Sequence, residues 1–144
     1  LLLDDIVGFL SPEDFSKFAK PYLEKIFTSF PNHLRFFHND TANLDILPQL
    51  ADLDFEVFNF SHEMDIAEVR AKVGQDLCLM GNLAPLDVLA RGTPDQVREE
   101  TSEIISKVQG DRKLLLSAGG GVAPGTPVEN IAALSRTVEE YNRS

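Results

Sequence analysis

At 144 residues, with 43% hydrophobic and 25% charged side chains, the chain has the size and composition of one domain with a real core. Its formal charge of -10 argues against a nucleic-acid surface, which wants clustered Lys and Arg. The single cysteine, Cys78, excludes an internal disulfide and fits a reducing compartment; with no apolar run near ~20 residues and no signal-peptide core, the expectation is a cytoplasmic protein without a membrane span.

The first residues, Leu1-Leu2-Leu3, read as a buried strand that ends in Asp4-Asp5. The chain starts without Met and within a strand, as a piece of a longer protein would. Ser11-Pro12-Glu13-Asp14 then carries an N-cap, a proline for the first turn and an acid three residues on. From Phe15 to Phe30 the apolar residues follow helical spacing and read as core, with Pro21 expected to kink the helix. Leu34–Phe37 is the next strand, ending in His38-Asn39-Asp40, and a helix is expected from about Asn43 to Leu50. Phe55–Phe60 is a strand ending in Ser61-His62-Glu63; Asp65 caps a helix that Gly74 stops. Leu77–Met80 leads into Gly81-Asn82, and Thr93-Pro94-Asp95-Gln96 starts a helix with Val97, Thr101, Ile104, Ile105 and Val108 on one face. Leu114–Leu116 runs into Gly119-Gly120-Gly121, and Thr126-Pro127-Val128-Glu129 opens the last helix as a capping box.

The reading amounts to six strands alternating with six helices, hence a parallel sheet with right-handed crossovers. A doubly wound sheet and a barrel both fit, although no G-x-G-x-x-G opens a helix. A (β/α)8 barrel needs about 250 residues, and six units could be the C-terminal two-thirds to three-quarters of one.

In parallel barrels the chemistry sits at the C-terminal strand ends. That places Asp4, Asp5, His38, Asp40, His62, Glu63, Asn82 and the loop Gly119, Gly120, Gly121 around one mouth. His38 and Asp40, two residues apart, share a face of an extended segment, and both residue types ligate zinc; Glu63 or Asp5 would supply a third ligand. The plain alternative is that His38 bonds a neighbouring loop and Asp40 caps the next helix. Asp5, with His62 and Glu63, is the candidate acid–base set, against the alternative of solvated loop side chains. Asp4, Asn82 and the three glycines are candidates for holding substrate, the glycines by making room. Cys78 and the aromatic stripe read as core, and His33 receives no role.

Three segments carry a resemblance. They are Asp4-Asp5-Ile6-Val7-Gly8-Phe9-Leu10-Ser11-Pro12-Glu13-Asp14-Phe15 with Pro21-Tyr22-Leu23, Leu79-Met80-Gly81-Asn82-Leu83 with Gly92-Thr93-Pro94, and Gly119 through Asn130. In order and spacing they resemble the C-terminal part of the uroporphyrinogen decarboxylase superfamily along essentially the whole chain. The resemblance implies a TIM-type (β/α)8 barrel, of which residues 1–144 are expected to be a single domain forming the C-terminal portion, and one of two chemistries. One is cofactor-free decarboxylation of a tetrapyrrole in porphyrin biosynthesis. The other is zinc-dependent methyl transfer involving a corrinoid, often on a partner protein, and a thiol. Decarboxylases often have serine where this chain has Asp5, and a histidine where it has Gly120. The zinc methyltransferases have His-x-Cys where this chain has His38-Asn39-Asp40, and a later cysteine at Gly120. The balance leans towards methyl transfer, with zinc on His38 and Asp40. Decarboxylation is the alternative, and a non-catalytic corrinoid- or partner-binding domain the second. An isolated fragment is expected to be inactive and to pair with a second copy through its open sheet.

Overall fold

The computed structural model describes residues 1–143. Its strands are β1 (Leu2–Leu3), β2 (Phe36–Asn39), β3 (Val57–Phe60), β4 (Cys78–Leu83) and β5 (Leu114–Ala118). They form one five-stranded sheet in the order β1-β2-β3-β4-β5, and every neighbouring pair is parallel. A doubly wound sheet reverses its order partway across. This sheet advances in chain order throughout, which is the winding of a barrel, and the chain is an arc of a (β/α) barrel. The strand count is five among the described residues, not six, because only five apolar runs exist to form strands.

The helices between them are α1 (Pro12–Asp14), α2 (Lys20–Thr28), α3 (Leu47–Ala51), α4 (Ile66–Val73), α5 (Pro94–Lys107) and α6 (Val128–Arg143), with π-helical turns at Phe15–Ala19 and Pro85–Ala90. Local chemistry explains most boundaries. The Ser11 hydroxyl accepts from the Asp14 N–H, Asp65 accepts from Ala67 and Glu68, and Thr93 forms a complete capping box with Gln96. Gly74, at φ +76°, ends α4. Pro21 has no N–H for the turn before it, and the backbone there widens into the π turn, with Lys20 N–H reaching the Phe15 carbonyl.

Several expected elements differ. The helix expected from Asn43 begins only at Leu47, since Pro48 suits a first turn and the Asn43 side chain is engaged with the Gly8 and Leu10 carbonyls. β2 runs two residues later than Leu34–Phe37, which puts His38 within the sheet. Thr126 gives its hydroxyl proton to the Ala123 carbonyl, and the first helical bonds of α6 fall on Pro127. The aromatic stripe is core along only one of its two rows. Phe15, Ala19, Leu23 and Phe27 are buried, whereas Phe18, Tyr22, Ile26 and Phe30 are exposed. A stripe covering both rows is wider than one helix face can bury against one sheet.

The two faces of the sheet follow from its register. Phe37, Phe58 and Leu79 form one row under the helices, each fully buried, and Phe27, Phe55 and Phe60 extend that row as ring contacts of 5.2–6.3 Å. Each such phenylalanine contributes about 1.5–3 kcal/mol of burial. The next row, Leu3–His38–Asn59–Met80–Leu115, points to the concave side, where the barrel interior would be. There Leu1, Leu3 and Leu115 are exposed at 79%, 65% and 46%. No helix among the described residues is long and apolar enough to cross a membrane.

Candidate active site

Parallel pairing brings the ends of β1, β2, β3 and β5 to one rim. Asp4 and Asp5 follow β1, Asp40 follows β2, Ser61-His62-Glu63 follows β3 and Gly119-Gly120-Gly121 follows β5. Asp4 is committed to the backbone: its Oδ1 accepts from Ile6 and Val7 at 3.0 and 3.3 Å, closing the turn after β1. Asp5 turns the other way. Its Oδ1 accepts the Asp40 N–H at 2.7 Å and lies 3.8 Å from His38 Nε2.

His38 is held from behind by a residue that the sequence reading passed over. Asn59 is its register neighbour on β3, and Asn59 Oδ1 lies 2.6 Å from His38 Nδ1. The Asn59 amide nitrogen donates to the Met80 carbonyl at 2.8 Å and, more weakly, to the Ala118 carbonyl at 3.4 Å. One signal was available: a lone asparagine between Phe58 and Phe60, in a strand buried at every position.

Partial desolvation holds the Asp40 carboxyl above the ordinary carboxylate range; His38 and His62 pull it down, Asp5 and Glu63 push it up. All four side chains are therefore close enough to act on it. His62 and Glu63 are exposed. Asn82 is buried in a structural role: its amide nitrogen donates to the Ser61 and Met64 carbonyls at 3.2 and 2.7 Å, tying β4 to the loop after β3. Cys78 is part-buried within β4, and burial raises its thiol above the usual range, which suits packing better than nucleophilic work.

The glycine loop divides by function. A Cβ on Gly119 would stand 2.5 Å from the His62 nitrogen, so this glycine is needed for backbone contact between the loops after β5 and β3. Gly120 has φ +100°, and a Cβ there would lie 3.0 Å from Asp40 Oδ2. Gly121 faces open space. Leu3, Phe36, His38, Met80, Gly120 and Gly121 border one hollow on the concave side.

A catalytic zinc takes three protein ligands. His38 offers Nε2 and Asp40 a carboxylate. Among the described residues, however, no group of three His, Cys, Asp or Glu side chains is placed to hold a metal ion. His38 and Asp40 do not by themselves make such a site.

The model of the family described as uroporphyrinogen decarboxylase (URO-D) matches residues 1–141. The uroporphyrinogen decarboxylase of Synechococcus sp. (strain JA-2-3B'a(2-13)) is 33% identical over 144 residues, covering 96% of this chain and 40% of that protein. The one from Prochlorococcus marinus (strain NATL1A) is 30% identical over 136 residues, covering 90% and 37%. Among solved structures, a methyltransferase from Methanosarcina mazei superposes with a TM-score of 0.86 at 27% identity, over 98% of this chain and 41% of that one. The chain thus spans about 40% of the length of the relatives it matches.

Proposed function

We propose, for a chain that belongs to the uroporphyrinogen decarboxylase family, that its mouth serves methyl transfer between a corrinoid and a thiol, with His38 as the proton carrier. The observation that carries this reading is the charge of the mouth. Asp5, His38, His62 and Glu63 gather around Asp40, and the side chains acting most on it are thus acids and histidines, with no Lys or Arg. A polycarboxylate tetrapyrrole would meet like charge there. A thiol asks for something different, a base that makes the thiolate, which is the nucleophile.

In this reading His38 Nε2 takes the thiol proton, and Asp5 at 3.8 Å stabilises the imidazolium that results. The thiolate sulfur then bonds to the methyl carbon, and the bond from that carbon to its donor breaks with its electron pair left on the donor. The corrinoid supplies a methyl group open to such attack. His62 and Glu63 flank the path on the exposed side, and Gly120 and Gly121 leave room for a bulky donor. Zinc enters only by the resemblance. If it is used, a further ligand must come from outside the described residues, and metal analysis of the full-length protein and of His38→Ala decides it.

Decarboxylation is the second reading, favoured by the names of the sequence relatives. The cationic groups that answer the substrate's carboxylates would then lie in the rest of the protein. The test is a paired assay on the full-length protein: methylcobalamin with a thiol, and uroporphyrinogen. Thiol methylation without carboxylate loss supports the first reading; carboxylate loss without thiol methylation replaces it with the second.

The chain on its own is proposed to pair with a second copy across the concave face, where Leu1, Leu3 and Leu115 are exposed. A monomer by light scattering at micromolar concentration would count against this.

A further inference from the structure

We infer that Asn59 is a positioning residue: it selects the tautomer of His38 and leaves the Nε2 lone pair facing the mouth. The argument begins with the Asn59 amide itself. Its nitrogen can only donate, and it faces two carbonyl oxygens, Met80 at 2.8 Å and Ala118 at 3.4 Å. The reversed amide would aim its oxygen at those acceptors, so the observed orientation is the satisfied one. Asn59 Oδ1 is then the atom that faces His38 Nδ1 at 2.6 Å, and an amide oxygen can only accept. His38 must donate from Nδ1. In the neutral ring that leaves Nε2 without a proton.

The fold makes this arrangement rigid. His38 and Asn59 are register partners on adjacent strands, and Asn59 is only 7% exposed. The carbonyls that hold it belong to β4 and β5. One side chain therefore carries the geometry of three strands to the histidine of a fourth element, β2. A buried polar side chain in an otherwise apolar strand has a cost that such a network offsets. The inference deepens the methyl-transfer reading and shares its site. It is equally valid whether Nε2 meets a proton or a metal ion, since both need the lone pair.

The test is the imidazole nitrogen spectrum of full-length protein labelled with 15N-histidine, recorded where the neutral ring dominates. The His38 signals are assigned by their loss in His38→Gln. The expected result is Nδ1 protonated and Nε2 bare. Asn59→Leu should abolish that preference, and Asn59→Asp, which keeps an acceptor but loses both donors, should retain it. A wild-type ring protonated at Nε2, or a tautomer unchanged in Asn59→Leu, would overturn the inference. Should Asn59→Leu fail to fold, the wild-type spectrum still decides. A bare Nε2 in a protein that methylates no thiol counts against the methyl-transfer reading alone.

Discussion

The two ends of the same five strands treat charge in opposite ways. At the N-terminal ends acids are matched with guanidinium groups. Arg35 bonds both Asp54 oxygens, at 2.6 and 2.9 Å, and also Glu56, while its own N–H donates to Glu56. Buried Arg70 lies 2.6 Å from Asp111 and donates to the Gly74, Leu77 and Lys113 carbonyls. At the C-terminal ends Asp5, Asp40 and Glu63 are gathered with two histidines, and Asp40 is held above its ordinary range. Paired charge at the base ties strand to strand. Crowded like charge at the mouth costs stability, and a barrel accepts that cost where it does chemistry.

The largest expected effect tests the base. Arg70→Met leaves Asp111 buried without its cation and takes a donor from the Gly74, Leu77 and Lys113 carbonyls. The expected loss is about 3–5 kcal/mol in chemical denaturation, and Arg70→Met with Asp111→Leu should recover most of it. A loss below about 1 kcal/mol for the single change would remove the base from the argument. Gly119→Ala comes next. It is a mouth residue that behaves like a base residue, because its Cβ would press on the His62 backbone. Overpacking of that kind costs about 1–3 kcal/mol, and a melt as stable as wild type would show that the loop relaxes freely.

Acid titration distinguishes the ends by sign. Hydrogen bonding from Arg35 lowers Glu56 below its usual value of 4.5. Its contribution is therefore present above that value and is lost as pH falls through the depressed one. Glu56→Gln should flatten the acid limb of the stability curve; an unchanged limb would contradict the pairing. Asp40 runs the other way. Its raised value means that the stability tied to its protonated form is present at low pH and lost as pH rises through that value. Asp40→Asn should therefore raise the melting temperature slightly at neutral pH and lose that advantage in acid.

The alternation of elements was legible because each strand is a short apolar run bounded by turn chemistry, and because Ser11, Asp65 and Thr93 announce their helices. Local pattern left a barrel and a doubly wound sheet both open, since strand order is a long-range property; the family-like segments pointed to the barrel, and the order β1-β2-β3-β4-β5 agrees. Two rows of apolar residues from Phe15 to Phe30 looked like one face, and only packing against the sheet separated them. The mouth acids were found from the strand-end rule alone. Asn59 was missed because its role depends on register, which joins residues 21 apart in sequence. Asn82 drew attention for its place after an apolar run, although its amide ties β4 to the Ser61 and Met64 carbonyls.

The central claim is that the mouth acids serve the reaction and the base acids serve the fold. The measurement that tests it most directly is the melting temperature at neutral pH of full-length Asp5→Asn/Asp40→Asn. Asparagine at position 5 keeps an acceptor for the Asp40 N–H, so the change removes charge and little else. The account predicts a melting temperature equal to or above wild type, together with loss of thiol methylation. A fall of several degrees would contradict it and place Asp5 and Asp40 with the structural charges at the base.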